Sequence, residues 1–293
     1  MGVLQCVMTE TKTQWLGNKG ISRYYNENQI VYDLFWSRDA LHFGLWDSQT
    51  KSLRQALSNT NQFIVDTLKI DSDDIVLDAG CGIGGTSVFI AQQTGASVVG
   101  ITLSRRQLHK ARKKAARAGV SHLVKFYQQD FSHTEFKEAS FTKIFGIESI
   151  CYAPNKRDFL KEAYRILQPG GTIAVLDAFL IKTNLTEREQ AAYNDFLRGW
   201  VVPDLAVKSE FFDDMQSVGF QDIVFEEKLK EVKKSSEHLH RLGRLAYPLT
   251  KFFSAIKLMP KSTHGNSIAS IAQKKLVDMG VVTYGVFVGR KIT

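Results

Sequence analysis

At 293 residues, with 44% apolar and 23% charged side chains, five prolines and no low-complexity tract, the composition is that of a globular protein and excludes a largely disordered one. No apolar run reaches the roughly 18 to 20 residues that cross a bilayer, and Met1 to Thr13 lacks a basic segment followed by an apolar one, so a cytosolic chain is expected. The net charge of +8 favours anionic partners such as nucleic acid, phosphorylated substrates or an acidic membrane surface.

Cys6, Cys81 and Cys151 are odd in number and lack CxxC spacing, so reduced thiols are expected rather than a disulfide framework or a zinc site. From residue 1 to about 70, polar and aromatic residues recur with helical spacing. Within that stretch Tyr32, Phe35, Trp36 and Trp46 fit the core stripe of an amphipathic helix. Ile75-Val76-Leu77-Asp78 then reads as a short strand, the glycines that follow as a tight turn, and Thr86 to Gln93 as a helix. Ser97 to Thr102 is a second strand, and Arg105 to Ala118 a basic helix ending at Gly119. Val124 to Tyr127 and Phe141 to Ile147 supply two more strands, Arg157 to Leu167 a helix stopped by Pro169-Gly170-Gly171, and Thr172 to Asp177 a fifth strand. Strands alternating with helices predict an α/β fold, a mostly parallel central sheet covered on both faces. Downstream, Thr186-Glu187-Arg188-Glu189 opens a helix and Glu210 to Val218 forms another. Asp222 to Glu226 and Val281 to Arg290 suggest a closing pair of strands, with residues 232 to 280 helical between them.

The turn Val76-Leu77-Asp78-Ala79-Gly80-Cys81-Gly82-Ile83-Gly84-Gly85 places glycine where backbone must turn sharply beside a ligand. An acid directly before the glycines would repel a pyrophosphate, so cationic ligand groups fit better. Here the sequence resembles the class I S-adenosylmethionine-dependent methyltransferases, with a Rossmann-like fold. Gly100-Ile101-Thr102-Leu103-Ser104 followed by Gln107 is similar to the branch holding sterol and tocopherol C-methyltransferases, cyclopropane fatty-acid synthases and some plant alkaloid N-methyltransferases. The resemblance implies that Asp78, Gly80 and Gly82 receive the methionine end of the cofactor. Thr102 and Leu103 would wall the adenosine, Gln107 would bind the ribose, and Asp130 would accept from the adenine amine. Taken singly, Ser104 reads equally as a helix cap and Asp130 as the end of a strand.

The aromatic segment from Tyr24-Tyr25-Asn26 to Leu41-His42-Phe43-Gly44-Leu45-Trp46 resembles the piece that lies over the bound cofactor in sterol and tocopherol methyltransferases. It implies cofactor contacts from Tyr24, Tyr25, Phe43 and Gly44. After the fourth strand, Phe145 to Pro154 is similar to the sterol methyltransferase pattern. It puts Ile147 beside the cofactor and makes Glu148 the catalytic candidate, as base or as support for a cation. Glu148 also reads as a cap for the next helix or as a hydrogen-bond partner of the amino-terminal lid.

Phe196, Trp200, Phe211 and Phe212 are acceptor-pocket candidates, each open to a core reading. Leu239 to Met259 alternates cations with large apolar residues and fits a cap over a lipophilic acceptor, a membrane contact or a solvated face. The expected architecture is one methyltransferase domain over 1–293: a helical lid over 1–70, a cofactor-binding core over 71–180, and an acceptor-side insert, helical cap and closing strands over 181–293. The expected activity is C-methylation of a small lipophilic acceptor, prenyl, sterol or tocopherol-like. N-methylation of a small amine or alkaloid is the alternative, and RNA modification, suggested by the basic helix, is a further one. No metal is required unless the acceptor carries a diphosphate, which would bring magnesium. Nucleic acid is not an expected partner, while peripheral membrane contact and a homo-oligomer stay open.

Overall fold

Alternation of period two along the central strands presents apolar side chains to both faces of one sheet. The computed structural model describes residues 17–292; Cys6 and the stretch Met1 to Thr13 lie outside the described residues. Strands β1 (Ile75–Ala79), β2 (Ser97–Ile101), β3 (Val124–Tyr127), β4 (Phe141–Ile147), β5 (Leu167–Leu180), β6 (Gln221–Glu227) and β7 (Val282–Arg290) join in the order β3-β2-β1-β4-β5-β7-β6. The first five run parallel, and β7 enters antiparallel between β5 and β6. Val76, Val98, Phe145 and Leu176 pack on one face beneath α2 (Leu53–Leu68), α3 (Gly85–Thr94) and α4 (Arg105–Arg117). Leu77, Ile144, Val175 and Phe287, one residue along, pack on the other beneath α5 (Lys156–Ile166) and α7 (Lys208–Val218).

A third apolar cluster sits above the carboxyl ends of the strands, where α1 (Gly17–Phe35), α6 (Glu187–Trp200) and α9 (Lys261–Asp278) bury Ile21, Tyr193, Phe196, Leu276 and Val281 together. Helix α8 (Leu229–Ala255) packs along α9. Side chains start several of these helices as the sequence leads one to expect. Ser104 Oγ accepts the Gln107 N–H, and Thr186 with Glu189 forms a reciprocal capping box.

Strand β5 is longer than its sequence suggests, because Leu167 already pairs with Phe141 and β7 extends the pairing to Leu180. The Pro-Gly-Gly step sits in an irregular start, with a register shift before Thr172 rather than a full break. The basic helix α4 also has a structural use. Arg106 donates to the Asn26 carbonyl (2.9 Å), Ser104 Oγ to Asn26 Oδ1 (2.7 Å), Lys114 to the Arg38 carbonyl (2.8 Å), and Lys110 is paired with Asp33. These contacts pin α1 and the segment after it over the sheet, while Arg105, Arg112, Lys113 and Arg117 of the same helix stay exposed.

Phe211 and Phe212 do not line an acceptor pocket. Phe211 is 1% exposed and packs with Phe179 and Phe287 at ring-centroid separations of 5.3 and 5.2 Å, whereas Phe212 lies at the surface. The i, i+1 step on α7 turns neighbouring side chains about 100° apart, so one aromatic enters the core and the next leaves it. Phe211→Ala should therefore lower the free energy of unfolding by about 3 to 5 kcal/mol in a urea titration, with unchanged ligand affinity in the folded fraction. Phe212→Ala should shift it by about 1 kcal/mol or less.

Candidate active site

A chamber of about 430 Å³ opens at the carboxyl ends of β1, β2, β4 and β5, where ligands enter open α/β sheets. Its floor is the glycine turn after β1. Gly80 has φ +93°, and a side chain there would strike Ser149 Cβ at 2.4 Å. Gly82 has φ +50° with nothing nearer than 3.8 Å to an added Cβ, so bare backbone faces open space.

Behind the turn stands Asp78, buried and outside the chamber wall, accepting a 2.6 Å hydrogen bond from Ser87 Oγ. Loss of water pushes its carboxyl up to about 7. This residue orders the turn from below by tying β1 to α3. Thr102, Leu103 and Gln107 all line the chamber. Thr102 Oγ1 donates to Gln107 Oε1 (2.9 Å), which fixes the amide, and Gln107 Nε2 is left buried without a partner. A buried donor without an acceptor costs about 1 to 3 kcal/mol, so a ligand oxygen that accepts from it is strongly favoured. The indole Nε1 of Trp36, in the same wall, is likewise unpaired.

The lid supplies four rings to the chamber: Tyr25, Tyr32, Trp36 and Phe43. Two of these depart from expectation, because Tyr32 and Trp36 line the chamber instead of filling a helix core, while Phe35 is 62% exposed. Trp46 donates its indole N–H to Ser235 (2.9 Å) and belongs to the seam with α8. Tyr24 and Gly44, expected over the cofactor, lie outside the wall. The Tyr24 hydroxyl is buried against Tyr32 (2.5 Å) and Asn266 (2.6 Å). Gly44 is a close-approach glycine: a Cβ there would sit 2.4 Å from that of Ala56 on α2. Asp130 is also beside the chamber rather than in it, accepting from Asn18 Nδ2 (2.6 Å) and the Ser132 N–H (2.8 Å), while its neighbours Gln129 and Phe131 line the wall.

Ile147 and Glu148 close the end of β4. Glu148 holds φ +49°, a conformation costly for a residue with a Cβ, and its N–H donates to the Leu176 carbonyl (2.9 Å). Its Oε1 accepts from the Phe43 N–H (2.7 Å) and from the Tyr284 hydroxyl (2.8 Å). The hydrogen bond to the lid is thus realised, and the capping alternative is not. Both bonds fall on Oε1, so Oε2 has no donor among the described residues. Burial pushes this carboxyl up to about 8, against the two hydrogen bonds that favour its anion.

Asp177, three residues before the end of β5, is a second buried carboxyl in the wall; it accepts from the Cys151 (2.9 Å) and Ala178 (2.8 Å) N–H groups, and burial raises it to about 6. Sequence reading passed over it, although an acid at the carboxyl end of a parallel strand was a usable signal. Phe196 and Trp200 reach the chamber from α6, as expected. Among the described residues no cluster of His, Cys, Asp or Glu is placed to hold a metal ion.

Comparison with known proteins agrees with this geometry. Residues 76–171 match the methyltransferase domain. A sterol 24-C-methyltransferase of Eremothecium gossypii is 30% identical over 215 residues, 72% of this chain and 57% of that protein. The chain spans 52% to 57% of the length of several such sterol methyltransferases. Among solved structures, the [4+2]-cyclase SpnF superposes with TM-score 0.78 at 18% identity, covering 94% of this chain and 96% of SpnF. Geranyl diphosphate C-methyltransferase of Streptomyces coelicolor A3(2), solved with Mg2+, geranyl diphosphate and S-adenosyl-L-homocysteine, gives TM-score 0.71 at 18% identity and covers 94% and 97% of the two chains.

The raised carboxyls carry a consequence for stability. Glu148 titrates near 4.5 when solvated and near 8 in the fold, so between those values the folded protein binds more protons than the unfolded one. Its contribution is full below about 4.5 and is lost as pH climbs toward 8. The melting temperature of ligand-free protein should therefore fall further between pH 5 and pH 8 than that of Glu148→Gln, with the difference between the two curves read by calorimetry.

Proposed function

We propose that this chain is a class I S-adenosylmethionine-dependent methyltransferase of the branch of the sterol C-methyltransferases, and that it methylates a carbon atom of a small lipophilic acceptor, prenyl, sterol or tocopherol-like. The observation that carries the proposal is Glu148: a half-buried carboxyl with one unpaired oxygen, in a mostly apolar aromatic chamber at the end of β4. Fold likeness alone would not suffice, since the same architecture also serves a [4+2]-cyclase.

The residues fit the cofactor. Gly80 and Gly82 leave backbone open to its amino-acid end, Asp78 holds that turn, and Gln107 Nε2 is the free donor for a ribose hydroxyl. Thr102 and Leu103 flank the adenosine side. When bound, S-adenosylmethionine supplies an electrophilic methyl group on a sulfonium.

The chain's own contribution is position, dryness and charge. Faces of Tyr25, Tyr32, Trp36 and Phe43 stabilise a cation by about 0.5 to 2 kcal/mol depending on desolvation, without offering it a nucleophile. Phe196 and Trp200 supply an apolar wall for the acceptor and keep water from competing for the methyl group. As the acceptor's alkene or aromatic carbon gains its new bond, positive charge develops on the acceptor beside Glu148. Its carboxylate stabilises that charge and then takes the proton whose loss restores the double bond, so Glu148 ends protonated.

Radiolabelled methyl transfer from the donor into solvent-extractable and water-soluble acceptor pools tests this reading directly. Label should enter the extractable pool; entry only into amines would establish N-methylation instead, and absence of heat with donor or S-adenosylhomocysteine in calorimetry would remove the basis of the proposal. Glu148→Gln should lower kcat by about 10² to 10⁴-fold with little change in donor affinity. The wild-type kcat/KM should rise with pH to a plateau above about 8, a limb that the glutamine variant lacks. Gln107→Ala should weaken donor binding about 3- to 10-fold, measured by titration calorimetry.

A further inference from the structure

Helix α8 is inside out over its second half. Leu245, Leu249, Phe252 and Ile256 recur at steps of four, three and four residues, the spacing of a single helical stripe, and they are 71, 61, 59 and 48% exposed. The opposite face is the packed one, and it is small and polar. Gly243 lies so close to α9 that a Cβ would meet Ser270 Oγ at 1.7 Å, and Thr250 Oγ1 bonds to His264 and Ser267. Folding has therefore buried the polar edge of this helix and turned its apolar stripe outward, the reverse of a surface helix in a globular protein.

The stripe does not stand alone. On α1, Ile30, Leu34 and Phe35 are 54, 63 and 62% exposed. Helix α9 joins the two, bonding to α1 through Ser262, Thr263 and Asn266 while packing on α8 through His264, Ser267 and Ser270. The same helices line the chamber: Tyr32 stands on α1, Trp36 just past its end and Leu239 on α8, and the ring of Trp36 lies 6.0 Å from that of His238.

Charge decides what covers this surface. From His238 to Val277 there are seven lysines and arginines and no acid. Arg241, Arg244, Lys251 and Lys257 interleave with the apolar stripe, and none of them has an ion-pair partner among the described residues. A second copy docked by twofold symmetry would press this acid-free surface against itself. An anionic bilayer surface offers both the apolar depth and the negative headgroups that such a face lacks.

We infer that the second half of α8, with the exposed side chains of α1, lies in the interface of an anionic membrane and sets the chamber beside the lipid phase. No helix among the described residues is long and apolar enough to cross a membrane, so the contact is interfacial. This inference rests on the exposed surface and not on the methylation chemistry.

Sedimentation of the full chain with vesicles of phosphatidylcholine, alone or mixed with phosphatidylglycerol, tests it. Binding should appear with the anionic vesicles and weaken as salt is raised. Leu249→Glu with Phe252→Glu should reduce it at least about tenfold, and Lys251→Glu with Lys257→Glu should abolish the preference for anionic lipid. These side chains are exposed, and unchanged circular dichroism and donor affinity would show that both variants fold. The inference is overturned if the wild type stays in the supernatant, or if it binds vesicles indifferently to the substitutions. It is equally overturned if the Leu249 and Phe252 variant instead converts a dimer to a monomer while vesicle binding is absent.

Discussion

One half-buried carboxyl group joins the parts of this molecule that the chain order keeps apart. Glu148 sits at the end of β4, yet its Oε1 is held by the backbone of Phe43 in the lid and by the hydroxyl of Tyr284 on β7. Three segments more than a hundred residues apart thus converge on one oxygen. The local backbone is strained to allow it, since a φ of +49° turns the side chain out of the strand direction and into the chamber. Removing water from a carboxyl is unfavourable unless hydrogen bonds or a cation compensate, and here two hydrogen bonds compensate in part. What remains uncompensated is a standing preference for positive charge at this position.

The lid is held by a different kind of interaction, and the contrast matters. Contacts between α1 and α4 are mostly polar and near the surface, made by Asn26, Asp33, Ser104, Arg106 and Lys110. Surface ion pairs of this sort contribute little individually, about 0 to 1 kcal/mol. Helix α1 is anchored more firmly from its other side, where Ile21 is buried with α6 and α9 and where Tyr24 and Asn28 bond to Asn266, Ser262 and Thr263 of α9. Tyr25 and Tyr152, with rings 5.7 Å apart, add an apolar hinge between lid and strand end.

Much of the sheet was legible because its signals are local. Short β-branched runs between glycine turns mark β1 to β4 within a residue of their observed ends, and the Asp-Ala-Gly-Cys-Gly turn marks the chamber floor. Side-chain direction was not legible wherever two faces compete. Phe211 and Phe212 are equivalent as composition, but only the helix phase of α7 against β7 decides that the first is core and the second surface. Tyr32 and Trp36 stand four residues apart at the end of α1, the spacing of a core stripe, and nothing local says that the facing space is a cavity. Gly44 shows the reverse error: a glycine beside an expected ligand site whose missing Cβ serves a helix contact.

Asp177 shows why a second carboxyl can hide in plain sequence. Strand β5 reads as an apolar run with one acid, which a pattern search treats as the end of the strand, whereas β7 pairs with the run for three residues beyond it. Pairing carries Asp177 into the interior, where burial raises its carboxyl to about 6, and its charge adds to the burial that already disfavours ionisation of Glu148. Two acids so placed resist being charged together unless a cation lies between or beside them. The chamber is therefore best matched by a guest that is apolar in shape and positive in charge at one point. A sulfonium beside an acceptor that becomes cationic as it reacts meets that description in the ground state and again after the methyl group has moved. The electrostatic demand of the fold thus stays satisfied from one side of the reaction to the other, which neither a neutral ligand nor an anionic one would achieve.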